Sequence, residues 1–423
     1  MASIKYAAIG CSGMGRRHLH GLKQLMRTGL ANVELAAVCD LNADYAREMS
    51  EEASALLGSR PALYTDIATM MRAHPDIAAA DIATDAGSHL SVALQCFSLG
   101  LNVLCEKPLG ITVSECRTII DAAAKAGRVL SVAENFRRDP INRLARALLR
   151  DGAIGVPRLM LETSIGGRDF MVQTPWRHQK SSGMVVLDSG VHNADILRFY
   201  MGEVESVYGE SRLHETSRRL GERGGEDANQ KDKWWKPSTS TSDRFEASGV
   251  DATYSQIRFV SGAIGHWVND RAGHGEARES RMVYGSKGSL EAPGDRNGRP
   301  IKLHMDDGTI INDQRILDHA PSYKLDPVAA VLFGDMRPWT YTLPFDEVDQ
   351  RLLALQLHEI ADCIVQGVAP EVTGHEALAD VALAYAPIES ARLGQAVTLE
   401  NVMHGSASAY QTEIDQMRKR TSA

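Results

Sequence analysis

Tyr6-Ala7-Ala8-Ile9-Gly10-Cys11-Ser12-Gly13-Met14-Gly15-Arg16-Arg17-His18 reads as a β-strand, a glycine turn and the opening of a helix. Glycine tolerates φ > 0 and lets a second backbone come close. The free N–H groups of a helix start then face outward with the positive end of the dipole, which suits an anion such as a pyrophosphate. Gly10, Ser12, Gly13, Met14 and Gly15 are therefore the expected wall of a dinucleotide site. Ser12 stands where the common G-x-G-x-x-G pattern has its second glycine, and Gly13 follows at once.

Outward from that turn the chain keeps one rhythm. Short apolar runs at 6–10, 35–40, 78–84, 102–105 and 129–133 alternate with helical patterns at 16–28, 43–57, 90–99 and 113–126. Strands alternating with helices of this length predict βαβ units on a parallel sheet covered on both faces. The second strand ends on Asp40, thirty residues past Gly10. A carboxylate there accepts hydrogen bonds from the ribose hydroxyls of NAD and repels the 2′-phosphate of NADP; the plainer alternative is a helix cap, since a helix follows.

The rhythm changes after Pro140. A helix at 141–150 leads to strand-like segments at 158–164, 204–212, 252–259, 263–268 and 280–284, with an apolar helix at 191–200 among them and further helices at 345–366 and 376–394. This predicts an α/β chain with an N-terminal Rossmann domain over 1–135. A C-terminal α/β domain on a mostly antiparallel open sheet follows over 136–400, then a polar tail over 401–423. Residues 214–249 are too polar for a core and read as a surface insert, yet they carry Trp234 and Trp235. Two exposed indoles in a polar loop suggest a flap over a substrate; the alternative is that they pin the loop.

The totals agree with two domains: 423 residues exceed the roughly 250–300 that one core supports. A formal charge of −8 does not resemble a nucleic-acid footprint. No apolar run approaches the roughly 18 residues of a membrane helix. Residues 5–10 are too short for the core of a secretion signal, so a cytoplasmic protein is expected. The six cysteines have no metal-binding spacing and read as buried thiols.

Two further stretches carry chemistry. Glu106-Lys107-Pro108 closes an apolar strand, and carboxyl ends of parallel strands border the ligand crevice; a lysine there can donate to a substrate oxygen. Asp188 and His192 are four apart, on one helix face with Asp195. An imidazole exchanges a proton near neutral pH, and a neighbouring carboxylate can set its tautomer. A metal site would need further ligands, and none stand out.

Together these motifs resemble the Gfo/Idh/MocA family, over nearly the whole chain. The match runs from the glycine turn through Ala83-Thr84 and His89, Glu106-Lys107-Pro108, Trp176-Arg177 and Asp188-x-Gly190-x-His192-x-x-Asp195 to the turn Gly285-Ser286-Lys287-Gly288. The resemblance implies Lys107, Asp188 and His192 as the catalytic set, with His192 the general base, Lys107 holding the substrate oxygen and Asp188 orienting. It implies cofactor contacts at Thr84, His89, Glu106, Lys107, Trp176 and Arg177, and substrate contacts at Asn135 and Arg177 besides the catalytic set; Trp234 and Trp235 are expected substrate contacts on the composition of the insert alone, which has no counterpart in the shortest members of the family. It also implies a homo-oligomer, a dimer or tetramer, built through the C-terminal sheet. The chain departs from the family's usual Thr-Pro-Asn at Thr84-Asp85-Ala86, and Asn135-Phe136-Arg137-Arg138 matches only loosely. The expected activity is NAD-dependent oxidation of a secondary hydroxyl on a sugar, anhydrosugar, glycoside or cyclitol. The alternatives are a redox-neutral enzyme that cleaves glycosides through a transient keto-sugar, and a non-catalytic NAD sensor.

Overall fold

A computed structural model of the chain describes residues 3–172, 174–220 and 243–422, which divide into two compact units. The first unit holds residues 3–135 and Asp346–Leu378. Its strands are β1 (Ile4–Ile9), β2 (Val33–Cys39), β3 (Ala62–Tyr64), β4 (Ile77–Ile82), β5 (Asn102–Glu106) and β6 (Leu130–Ala133), all parallel, in the order β3-β2-β1-β4-β5-β6. β4, β5 and β6 are buried almost throughout because helices cover both faces. Those helices are α1 (Gly13–Arg27), α2 (Ala43–Leu57), α3 (Ile67–Ala73), α4 (His89–Ser98) and α5 (Val113–Ala126). Asn42 caps α2 through the Asp44 N–H and Thr112 caps α5 through the Glu115 N–H, while Gly58 and Gly127 end the two helices in the left-handed region.

Helix Phe345–Gln366, expected within 136–400, has most of its length in this first unit. A Cβ at Gly21 would lie 2.8 Å from the Leu353 Cβ, so α1 and this helix meet almost backbone to backbone. Arg17 pairs with buried Asp349, and the Asn32 amide bonds the His358 carbonyl (3.0 Å) and Asp362 (2.8 Å).

The second unit takes residues 136–220, 243–345 and 379–422. Helix α6 (Pro140–Arg150) opens it, followed by β7 (Pro157–Gly167), the short α7 (Val185–Asp188) and α8 (Gly190–Met201). Then come β8 (Val204–Arg212), β9 (Ser217–Arg219), β10 (Arg244–Glu246), β11 (Ala252–Phe259), β12 (Ile264–Gly273), β13 (Arg278–Gly285), β14 (Gly288–Ala292), β15 (Lys302–Met305), β16 (Ile310–Ile311) and β17 (Val397–Thr398). Nine of them form one sheet, β16-β15-β14-β13-β7-β12-β11-β8-β17, antiparallel except where β7 meets β12. One face carries the core, with Trp267, Val283, Leu290 and Leu303 buried. On the other face Tyr208, Tyr284 and Ile310 are exposed.

Two expectations need correction, and two short elements were not foreseen. The tail at 401–423 contains helix Ala409–Ser422, whose polar average hides buried Tyr410 and Ile414 four residues apart on one face. The two ends of the polar insert pair as the ribbon β9–β10, anchored by fully buried Arg218, which bonds Asp251 at 2.9 Å. β3 and α3 were not anticipated, being three and seven residues long. Trp234 and Trp235 lie outside the described residues.

Candidate active site

In the first unit the strand order reverses between β1 and β4, so the turns after these strands face each other. A Cβ at Gly10 (φ +95°) would come 2.7 Å from the Ala83 carbonyl carbon, and one at Gly15 would sit 1.9 Å from the Gly10 oxygen. Both positions therefore require glycine. Ser12, exposed at the start of α1, makes no side-chain cap bond, so the helix's first-turn N–H groups have no side-chain acceptor from it. Met14 lies half-buried in the same turn.

Asp40 follows β2 and is not the helix cap, a role Asn42 fills. One Asp40 oxygen accepts the Cys11 N–H and the other the Asn42 N–H, both at 2.8 Å, which fixes the carboxylate beside the glycine turn. Thr84 is half-exposed after β4. His89 is buried and braces two loops, with Nδ1 2.9 Å from the Pro108 carbonyl and Nε2 3.3 Å from that of Thr84. Burial pushes its pKa down, which favours the neutral ring, and a neutral ring donates to only one of the two carbonyls, of which that of Pro108 is the nearer. Glu106 is buried at the end of β5 and Lys107 is half-buried after it. Asn135, closing this unit's first segment, holds a buried amide oxygen with no hydrogen-bond partner among the described residues.

These features fit a dinucleotide. The glycines leave room only for backbone, the helix start is uncapped by Ser12's side chain, and a fixed carboxylate follows the second strand. Among the described residues, no group of three His, Cys, Asp or Glu is placed to hold a metal ion.

In the second unit Asp188 ends α7 and His192 lies in the first turn of α8. Arg177 donates from Nε to Asp188 (2.9 Å) and from Nη1 to Thr174 (2.9 Å), while its guanidinium lies 4.4 Å from the Trp176 ring. The fold thus joins the adjacent pair Trp176-Arg177 to Asp188, eleven residues further along the chain. His192 stacks face to face on Phe136, with ring centroids 4.1 Å apart and planes 2° from parallel. One turn further along α8, Asp195 accepts from the Arg137 Nε at 2.8 Å, and Asn193, next to His192, donates to buried Glu162 at 2.7 Å. Adjacent residues Phe136 and Arg137 therefore grip the helix beside the imidazole.

Sequence reasoning missed Phe136, which no spacing marks. It also missed His18, although a titratable residue on the apolar stripe of Leu19, Leu22 and Leu25 is a readable signal. The third omission is the C-terminal helix. Lys180 pairs with Glu413 and lies 3.9 Å from the Tyr410 ring centre, and the Tyr410 hydroxyl meets the Met184 sulfur at 3.0 Å. Met184 itself has φ +54° and ψ 152°, a conformation ordinarily left to glycine, one turn ahead of Asp188.

Comparison with known proteins agrees with this architecture. A family model described as "Oxidoreductase family, NAD-binding Rossmann fold" matches residues 4–134, and a "GFO/IDH/MocA C-terminal domain" matches residues 142–291. A D-apiose dehydrogenase of Paraburkholderia graminis is 26% identical over 424 residues, 98% of this chain and 95% of that protein. A myo-inositol 2-dehydrogenase of Thermotoga maritima is 26% identical over 290 residues, 68% of this chain and 75% of that protein. The crystal structure of an oxidoreductase domain protein from Kribbella flavida superposes with TM-score 0.74 at 24% identity, covering 94% of this chain and all (100%) of that one.

Proposed function

The chain belongs to the GFO/IDH/MocA family of NAD-binding oxidoreductases, and on that footing we propose that it oxidises a secondary hydroxyl of a sugar, anhydrosugar, glycoside or cyclitol, using NAD. The observation that carries the reading is Lys107 at the carboxyl end of β5, in a parallel sheet whose glycine turn and Asp40 suit a dinucleotide. Gly10, Gly13, Gly15 and the start of α1 would hold the pyrophosphate, and Asp40 the ribose. Bound NAD supplies the acceptor for the electron pair of the substrate C–H bond.

The chain's own residues do the rest. His192 takes the hydroxyl proton, and its stack on Phe136 holds the ring plane during the transfer. Lys107 donates to the substrate oxygen and steadies the negative charge that develops there. Asp188, itself held by Arg177, orients a neighbouring hydroxyl or the imidazole. The relatives named for a sugar and for a cyclitol favour the same substrate class. We place assembly of the enzyme on the open face of the nine-stranded sheet.

The test is a screen of monosaccharides, cyclitols, anhydrosugars and glycosides for NADH absorbance, with NADH expected in step with substrate consumed. His192→Ala should then lower turnover by about 10²–10⁴, the usual worth of a general base. Near-normal turnover in that variant would remove His192 from the mechanism. Glycoside cleavage without net NADH would replace the dehydrogenase with a redox-neutral cycle.

A further inference from the structure

We infer that His18 is a positioning residue for Lys107, acting through the Glu106 carboxylate. The inference rests on the reading of Lys107 as the group that holds the substrate oxygen. His18 lies on α1, just after the glycine turn, and is buried together with Asp81 on β4 and Glu106 at the end of β5. Its Nδ1 sits 2.9 Å from Asp81 Oδ2 and its Nε2 3.0 Å from Glu106 Oε1. The other Glu106 oxygen, Oε2, accepts the backbone N–H of Lys107 at 3.1 Å. One carboxylate thus joins the helix that begins at the dinucleotide turn to the main chain of the proposed substrate lysine.

The chemistry of the three groups makes this link directional. Two buried carboxylates that share one imidazole can both be satisfied only if the ring donates from both nitrogens, that is, as an imidazolium. Burial alone would lower the pKa of His18, but Asp81 and then Glu106 outweigh it and raise it to about 10. The ring therefore stays charged and doubly donating across the working range. A carboxylate can accept on both oxygens at once, and here it does so from two different elements. Without His18 the Glu106 side chain loses its fixed point on α1, and the Lys107 main chain loses its anchor.

Glu106→Gln is the sharpest probe. An amide of the same shape accepts on one oxygen only, so it keeps either the His18 bond or the Lys107 bond and breaks the other, while removing one negative charge. Steady-state kinetics and NAD binding, followed by fluorescence, would be measured on the full chain. The set comprises the wild type, Glu106→Gln, His18→Gln, Lys107→Ala and the double variant Glu106→Gln with Lys107→Ala. The expected result for Glu106→Gln and His18→Gln is a loss in kcat on the order of 10–100-fold, as for a misplacement near 1 Å, larger than any change in NAD affinity. Added to Lys107→Ala, Glu106→Gln should cost nothing more, because there is no longer an ammonium to place. Wild-type kcat in Glu106→Gln would overturn the inference, as would losses that multiply with that of Lys107→Ala, the sign of a purely structural role. His18→Gln can fail to fold, but Glu106→Gln leaves the His18–Asp81 pair intact and decides alone. Near-normal turnover in Lys107→Ala by itself would instead strike the reading of Lys107, and the inference with it.

Discussion

Asp40 shows how much one residue can be fixed before any ligand arrives. Both its oxygens already accept backbone N–H groups, from Cys11 and Asn42. Its negative charge is therefore held beside the glycine turn, where a 2′-phosphate would meet it. NAD should be preferred over NADP in kcat/KM, and Asp40→Ala should narrow the gap mainly by improving NADP; a wild type that prefers NADP would reduce Asp40 to a loop brace. His18 gives a second prediction, in stability. Its folded pKa, about 10, lies above the ordinary histidine value near 6.5. The folded state therefore holds a proton that the unfolded chain releases, so the contribution is complete below pH 6.5 and is lost as pH rises through about 10. Melting temperature should fall between those limits more steeply in the wild type than in His18→Gln; parallel curves would mean that the ring is not charged. The sequence marks Asp40, Lys107, Asp188 and His192 as candidates because motifs are local. It could not expose a cluster whose members stand at 18, 81 and 106, nor the stack of Phe136 on His192, since both exist only where separate elements meet.

The elements were legible in proportion to their length and apolar contrast. The expected strands at 6–10, 35–40, 78–84, 102–105 and 129–133 correspond to β1, β2, β4, β5 and β6, because buried parallel strands read as unbroken apolar runs. β3 has three residues, too few for any pattern, and β14 to β17 are also short. Helix Ala409–Ser422 was hidden differently. Its anchor points are few and specific rather than apolar in sum. The backbone N–H groups of Tyr410 and Gln411 donate to buried Glu389, Tyr410 packs under Lys180, and Arg418 reaches the Ser181 carbonyl at 3.2 Å. These contacts fasten the segment that leads to Asp188. Tyr410→Ala should destabilise the fold by roughly 3–5 kcal/mol, as for other buried aromatics. It should also raise KM for the sugar while leaving NAD affinity unchanged. Denaturant unfolding and kinetics check the two halves separately, and an unaltered KM would leave the helix a purely structural brace.

At the scale of the whole molecule the nine-stranded sheet poses a question of coverage. Residues paired across the ladders share a face, and one row runs Arg258, Ile264, Leu159, Tyr284, Ser289 and His304 across adjacent strands. The next row runs Tyr208, Gln256, His266, Leu161 and Met282. Tyr208 and Tyr284 are exposed and Leu159, Leu161, Ile264 and Met282 half-exposed, whereas their neighbours on the other face, Val207, Met160, Trp267 and Val283, are buried. A broad face on which aromatic and aliphatic groups stand exposed among polar ones is the kind of surface that soluble proteins cover with a partner, and a second copy of the same sheet offers a matching one, as closed symmetry requires. Sedimentation at micromolar concentration should therefore report a species heavier than the 46.1 kDa monomer. Leu161→Glu combined with Met282→Glu places two like charges on adjacent strands in the middle of that face, at positions where the monomer's core is untouched. The double variant should sediment as a monomer with nearly normal secondary structure. A wild type that is monomeric at that concentration, or a double variant of unchanged mass, would show that the sheet face is not what joins the subunits.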